Sequence, residues 1–185
     1  MRALSFVLVS LLTVATACAA PAARPETSLT PRARVEALLR AHHGLPERSL
    51  IEEAGAPDAA KILRGIAADP QAFMPVRGAA FEALKWWPDE HTLALYTTAV
   101  GADQPASLRH RVLRYLPVYG EAALPLLTIA LGDANPQIRL TAAYAAFDTP
   151  GANAAKLLSD TAASEADPAT RDGMQQLIAK RATIR

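Results

Sequence analysis

Five side chains in this sequence are of the types that most often carry chemistry. They are His42, His43, His91, His110 and Cys18, the last being the one cysteine of the chain. Near neutral pH a histidine serves as a general base or a metal ligand, and a cysteine thiolate serves as a nucleophile. Each role requires partners at a suitable spacing, such as further ligands for a metal or a base beside a nucleophile. The residues around these five side chains therefore determine which chemistry is available.

The histidines lack the partners of a metal enzyme. A di-metal site of the paired His-Glu type needs at least two such dipeptides, whereas here Glu90 precedes His91 and no His-Glu dipeptide occurs. His42 and His43 lie where a helix is predicted to end, a position that favours positive charge. The sequence also has no G-x-S-x-G motif and no glycine-rich phosphate loop. We therefore predict no catalytic residue, no bound metal and no cofactor.

The residues that precede Cys18 have the pattern of an export signal. Arg2 supplies a positive start, residues 3–14 are an almost unbroken apolar run, and residues 15–17 are small. The apolar run is too short for a permanent membrane span. We therefore predict that residues 1–17 are a signal peptide.

The stretch TVATAC, which ends at Cys18, resembles the lipobox of bacterial lipoproteins. In that motif the cysteine is diacylated and becomes the first residue of the mature protein. Ala15 stands where the motif usually has leucine, so ordinary cleavage after Ala17 remains the alternative. Lipidation would anchor the chain to a membrane, because each buried methylene contributes about 0.8 kcal/mol. Ala19, rather than an aspartate, follows the cysteine, and by resemblance to enteric bacteria this implies the outer membrane.

The predicted location is therefore the bacterial cell envelope, either as an outer-membrane lipoprotein that faces the periplasm or as a periplasmic or secreted protein. Residues 18–29 are rich in Ala, Pro, Thr and Ser and have no apolar periodicity, which is typical of a tether. Removal of Arg2 with the signal leaves 18 basic and 18 acidic side chains. This balance argues against a nucleic-acid partner, which usually requires a basic excess.

The remaining residues contain a repeat that is aligned on arginine. The arginines are spaced by 29, 32, 30 and 32 residues, and they are Arg48, Arg77, Arg109, Arg139 and Arg171. An apolar residue follows each arginine after three positions, and another follows the last four after seven positions, which places them on one helical face. Candidate N-caps with nearby prolines precede the last four arginines: Asp69-Pro70, Asp103 with Pro105, Asn135-Pro136 and Asp167-Pro168. Each unit is therefore predicted to consist of two helices joined by turns. No segment has the alternation of apolar and polar residues that is typical of a strand.

These features resemble the HEAT-repeat family, in particular its short bacterial form of roughly thirty residues per unit. The specific likeness is an aspartate six residues before the arginine, as in Asp103-Arg109 and Asp133-Arg139. The resemblance implies an all-α fold, an α-solenoid of four to five helical hairpins over residues 46–185. It also implies that these four side chains form a structural ladder between adjacent repeats. Residues 30–45 are predicted to form an N-terminal cap helix, with Thr30 as its N-cap.

Two segments are candidates for contact with a partner. In RHRVLR, His110, Arg111 and Arg114 form a basic patch that would suit an acidic partner or a phosphate-bearing lipid head group; an ordinary solvated helix face is the alternative. In KWWPDEH, Trp86 and Trp87 lie at a predicted turn, where contact and packing are equally expected.

The function that these patterns favour is that of an exported scaffold, anchored to the membrane by its N-terminal lipid, which binds a still unidentified protein partner. Two alternatives remain open. One is an enzyme or enzyme accessory that resembles the bilin lyases, which share these short repeats, although export argues against it. The other is a purely structural component of the envelope.

Overall fold

A computed structural model describes residues 29–41 and 44–184 of the chain. The predicted signal peptide, Cys18, almost the whole predicted tether, and His42 with His43 lie outside the described residues. Within those residues the secondary structure is entirely helical, and no β-strand is present. The predicted all-α class is therefore confirmed for the described part of the chain.

Ten α-helices and two 3-10 segments make up the described secondary structure. The α-helices are α1 (Pro31–Ala41), α2 (Arg48–Ala54), α3 (Ala59–Ala68), α4 (Met74–Ala83), α5 (Glu90–Ala99), α6 (Ala106–Leu113), α7 (Leu124–Leu131), α8 (Pro136–Asp148), α9 (Ala152–Ser164) and α10 (Pro168–Ile184). The 3-10 segments are Leu84–Trp86, after α4, and Leu116–Ala123, after α6.

The helices pack mainly on their neighbours in the chain. Four of the five helices that carry the aligned arginines, α4, α6, α8 and α10, pack in succession, each against the next. The other helices form contacts of the same kind, α3 with α5 and α7 with α9. Each arginine helix also packs against the helix that precedes it, as α4 does on α3 and α8 does on α7. Local packing of this kind buries faces that a single helical pair would leave exposed to water.

The core is built almost wholly from aliphatic and small side chains. Leu84 and Leu116, at equivalent positions of two units, are both fully buried, and Ala142 and Ala146 are fully buried on α8. Small residues allow helices to approach closely while the leucines fill the space between them. Tyr96 is the largest fully buried side chain, and its hydroxyl donates to the carbonyl of Phe81 at 2.9 Å, so the polar atom is satisfied.

Three of the predicted helix starts are present in the structure. The Thr30 hydroxyl accepts from the backbone N–H of Ala33 at 3.2 Å, and Asn135 caps α8 by accepting from Gln137 at 2.9 Å. The carboxylate of Asp167 accepts from the backbone N–H of Thr170 at 2.8 Å. These bonds satisfy backbone donors that have no partner inside the first turn.

The predicted caps at Asp69 and Asp103 are wrong, because α4 and α6 begin later. The N-cap of α4 is Phe73 and that of α6 is Pro105, and neither makes a side-chain capping bond. Pro75 lies in the first turn of α4, five residues after Pro70, and Pro105 is itself the N-cap residue of α6 and holds an extended conformation. Asp69 instead accepts from the backbone N–H of Gln71 at 2.9 Å within the preceding turn.

Two arginine helices also end earlier than the periodicity predicts. Leu84 and Leu116 lie in 3-10 segments instead of continuing α4 and α6. Within the segment after α6, Gly120 has φ 55° and ψ −131°, a backbone conformation that residues with a Cβ rarely adopt. The chain turns at this glycine and starts α7 four residues later. Leu84 and Leu116 are still fully buried, although α4 and α6 end before them.

Candidate interaction surface

The repeated arginines join each unit to the next. Arg109, on α6, lies against Asp133, which precedes α8, and both side chains are at most a tenth exposed. The Nη2 of Arg109 donates to Oδ1 at 3.2 Å. Its Nε lies 3.0 Å from Oδ2 but at an angle outside hydrogen-bond geometry, so that second contact is electrostatic. Two of the four predicted ladder residues therefore meet across a unit boundary.

Arg139, on α8, meets a residue that the sequence pattern did not indicate. Its Nε and Nη2 donate to the two carboxylate oxygens of Glu165, each at 2.7 Å, in a bidentate pair. The Glu165 side chain is only 3% exposed, and it also accepts from the backbone N–H of Asp167 at 2.8 Å. Hydrogen bonding from Arg139 holds the pKa of Glu165 below its usual range, with the Asp167 N–H and the arginine charge acting in the same direction.

Asp103, the remaining predicted ladder residue, does not meet an arginine in the described structure. Its carboxylate accepts from the side-chain amide of Gln104 at 2.9 Å. The arginine of the preceding unit, Arg77, reaches that same Gln104 side chain, with its Nη2 3.4 Å from Oε1. The contact between a repeated arginine and the next unit is called a joint below. The joint at Arg77 is made to a neutral amide, because Gln104 lies closer to Arg77 than the adjacent aspartate does.

A second feature of these arginines is shared by all four units. Each guanidinium donates to a backbone carbonyl of the segment before its own helix: Arg77 to Ala67, Arg109 to Ala102 and Gln104, Arg139 to Asp133 and Ala134, and Arg171 to Glu165. Carbonyls at a helix end lack an intrahelical partner and carry partial negative charge. Arg77, Arg109 and Arg139 thus bind the preceding chain and the following unit at once, which explains the recurrence of arginine at this position. Arg48 differs, since it lies 5.0 Å over the ring of Trp87.

The three residues of the predicted basic patch lie on two different surfaces. Arg111 points towards α4, where its Nη1 donates to Glu82 at 2.7 Å and its guanidinium lies over Gly78. A Cβ at position 78 would come within 3.3 Å of the Arg111 Nε, so glycine leaves room for this pairing. His110 and Arg114 are exposed and line a cavity on the other side of α6. Arg111 therefore belongs to the α4–α6 contact, and the other two belong to a separate surface.

This second surface is a groove between α6 and α8, hereafter the α6–α8 groove. His110 and Arg114 form one wall, while the other wall runs along α8 from Gln137 to Asp148. The groove has a volume of about 510 Å³. Because the rise of an α-helix is 1.5 Å per residue, the α8 wall is about 16 Å long.

The side chains in the groove combine an aromatic ring, an aliphatic floor and open polar atoms. Tyr144 is 53% exposed, and Leu140 lies partly buried beside it. Within the described residues Arg114 has no ion pair and donates no hydrogen bond, whereas most other arginines have a partner. Asp148 is the one carboxylate in the lining. Exposed aromatic and unpaired cationic side chains of this kind are typical of contact surfaces.

The floor of the groove is supported from behind by α10. A Cβ added at Gly173 would lie 2.8 Å from the Cδ1 of Leu140, closer than such atoms approach in proteins. Glycine at this position therefore allows α10 to pack tightly against α8, and it leaves Leu140 free to keep its place in the groove.

No protein-family model, curated protein or solved structure matches this chain. Among the described residues, no helix has both the length and the apolar run needed to cross a membrane. In the same part of the chain, no three His, Cys, Asp or Glu side chains are grouped closely enough to hold a metal ion.

The two tryptophans are both half-buried at a turn. Trp86 ends the first 3-10 segment and Trp87 follows it, with the two rings edge to face at 6.3 Å between centroids. Lys85 lies 5.1 Å from the Trp86 ring and 5.5 Å from that of Tyr115, whose pKa is raised to about 12 by burial and by the nearby Glu82. Each indole thus packs on the core and keeps one face with a cation beside it.

Proposed function

We propose that this protein is a scaffold of the bacterial envelope, which holds a partner protein at the α6–α8 groove while a lipid on Cys18 fixes it to the outer membrane. The observation that carries the proposal is the groove itself, with its exposed Tyr144 and its unpaired Arg114. Tyrosine, tryptophan and arginine are enriched among the few residues that dominate the binding free energy at protein interfaces.

The α-solenoid architecture is part of this proposal. It is supported by the succession of contacts along α4, α6, α8 and α10 and by the arginine joints that repeat at each boundary. Arrays of this kind expose a long surface made from one face of successive helices. In the proposed array the α6–α8 groove is part of such a surface, because its lining comes from two adjacent arginine helices.

The scaffold proposal can be tested by photo-crosslinking in living cells. Tyr144 is replaced with a photoreactive benzoylphenylalanine, and the matched control carries the same group at Lys156, whose side chain is 73% exposed on α9. We expect a discrete adduct of defined mass from position 144 and none from position 156. Equal labelling at both positions, or no adduct at position 144, would contradict the proposal.

The anchoring part is tested separately with radioactive palmitate. We expect the wild-type chain to be labelled and to sediment with outer membranes, and Cys18→Ala to lose both properties. A labelled Cys18→Ala chain, or an unlabelled wild type, would exclude this anchor and leave the groove proposal unaffected.

A further inference from the structure

We infer that the α6–α8 groove binds an extended peptide segment that places a carboxylate side chain against Arg114 and His110. The inference rests on the proposed scaffold function and names the chemistry of the partner. It depends on the length of the groove, on its charge and on the guanidinium of Arg114, which is free among the described residues.

The length of the groove suits an extended chain. The α8 wall of the groove runs roughly 16 Å from Gln137 to Asp148. An extended segment rises about 3.3 Å per residue, so about five residues span the groove.

The charge on the α6 wall selects an acidic side chain. His110 and Arg114 lie one helical turn apart and face the same groove, and the adjacent Arg111 is already paired with Glu82. A guanidinium offers planar donors that match the two oxygens of a carboxylate. Asp148, the last residue of α8, carries the negative charge of the groove. Its carboxylate would accept a hydrogen bond from a backbone N–H or a basic side chain of the bound segment.

Arg114 is distinguished from the arginines of the joints by its lack of a partner. The guanidiniums of Arg109 and Arg139 are occupied by carboxylates and carbonyls, whereas no bond from Arg114 is present within the described residues. Arg40 is similar in exposure and also lacks a partner there, but it lines a different cavity, beside α1 and α4. Arg40 therefore provides a matched control for charge.

A defined probe tests the inference: a fluorescein-labelled random copolymer of glutamate and tyrosine, with a copolymer of lysine and tyrosine as its counterpart. The protein is purified as the cell processes it, in neutral detergent, and binding is followed by fluorescence anisotropy. We expect Glu-Tyr copolymer to bind and Lys-Tyr copolymer not to compete. Arg114→Glu should weaken binding by about tenfold or more, since it replaces attraction with repulsion, and Arg40→Glu should change it by less than about twofold.

Two further variants locate the bound segment. Asp148→Asn should strengthen binding of the Glu-Tyr copolymer by about two- to fivefold, because it removes the one carboxylate of the lining. Benzoylphenylalanine at Tyr144 should crosslink to the labelled copolymer, and the same group at Lys156 should not. Circular dichroism and thermal melting of each variant show that it remains folded.

Several outcomes would overturn the inference. These are no binding of the Glu-Tyr copolymer, equal losses in Arg114→Glu and Arg40→Glu, or Arg114-dependent binding to phosphatidylglycerol vesicles that the copolymer does not compete for. The last result would assign the groove to lipid head groups. Failure of the scaffold proposal is distinguishable: the copolymer would bind in the groove, but no adduct would form at position 144 in cells. The reverse failure is an adduct in cells that maps to a segment without acidic residues.

Discussion

The joint at Arg139 and the joint at Arg77 use the same position of the repeat and differ in the partner of the arginine. Arg139 meets the buried carboxylate of Glu165 through two bonds of 2.7 Å, while Arg77 meets the amide oxygen of Gln104 at 3.4 Å. Charge-assisted bidentate bonds are roughly twice as strong as neutral ones. Both arginines keep the bond to the preceding carbonyls, so the repeat preserves this contact and varies the one that joins neighbouring units.

The largest difference between the joints is expected on removal of the Glu165 carboxylate. Glu165→Ala leaves the Arg139 guanidinium without its charged partner in a mostly buried site, and it should lower the free energy of unfolding by about 3 kcal/mol. Urea unfolding followed by circular dichroism measures the change. The exposed Glu53, replaced with alanine, should change it by less than about 0.5 kcal/mol. A loss at Glu165 no greater than at Glu53 would show that the ion pair does not stabilise the boundary.

An intermediate effect is expected at the Arg109 joint. Asp133→Ala removes one hydrogen bond of 3.2 Å, an electrostatic contact, and the carboxylate that accepts from the backbone N–H of Asn135. The expected loss is about 2 kcal/mol by the same urea measurement. A loss greater than that of Glu165→Ala would reverse the order that the geometry predicts.

A smaller, pH-dependent effect should separate the charged joint from the neutral one. The pKa of Glu165 is lowered in the folded state. The ionised carboxylate therefore adds fully to the free energy of unfolding above the usual pKa of a glutamate, and this stabilisation is lost as the pH falls through the lowered pKa. The stability difference between wild type and Glu165→Gln should therefore shrink below about pH 4.5. Gln104→Ala, at the neutral joint, should show no such change. A constant Glu165→Gln difference down to pH 3 would contradict the assignment.

The smallest effect comes from converting the neutral joint into a charged one. Gln104→Glu gives Arg77 a carboxylate, and Asp103→Asn in the same chain removes repulsion from the neighbouring aspartate. The double variant should be about 0.5 kcal/mol more stable than Asp103→Asn alone, because the site is only partly buried. A thermal melt resolves such a shift, and an unchanged melting temperature would mean that Arg77 is held by the Ala67 carbonyl alone.

The fold class followed from the sequence because the helical periodicity and the turn residues agree with each other. Thr30, Asn135 and Asp167 cap helices as their types and positions predict. The start of α4 differs from the prediction because Pro70 and Pro75 both precede Arg77, and spacing does not show which one begins the helix. The start of α6 differs because the helix begins directly after Pro105, two residues beyond Asp103.

Less of the candidate surface could be predicted. Glu165 lies 26 residues after Arg139 and does not have the aspartate-to-arginine spacing on which the predicted ladder was based. The one feature of the sequence that could have indicated this residue is its acidic side chain just before the Asp167-Pro168 turn. The pairing of Arg111 with Glu82 joins residues 29 positions apart. Contacts between units depend on how helices pack in three dimensions, whereas local patterns report only which face of one helix is buried.

Leu140 lines the α6–α8 groove, and Gly173 lies behind it on α10. A single methyl group added at Gly173 would force Leu140 outward or separate the two helices, and either adjustment would make the groove shallower or wider. The shape of the groove therefore depends on a residue of α10 that does not line it, so a substitution on the opposite side of α8 from the groove would change the surface that the groove presents.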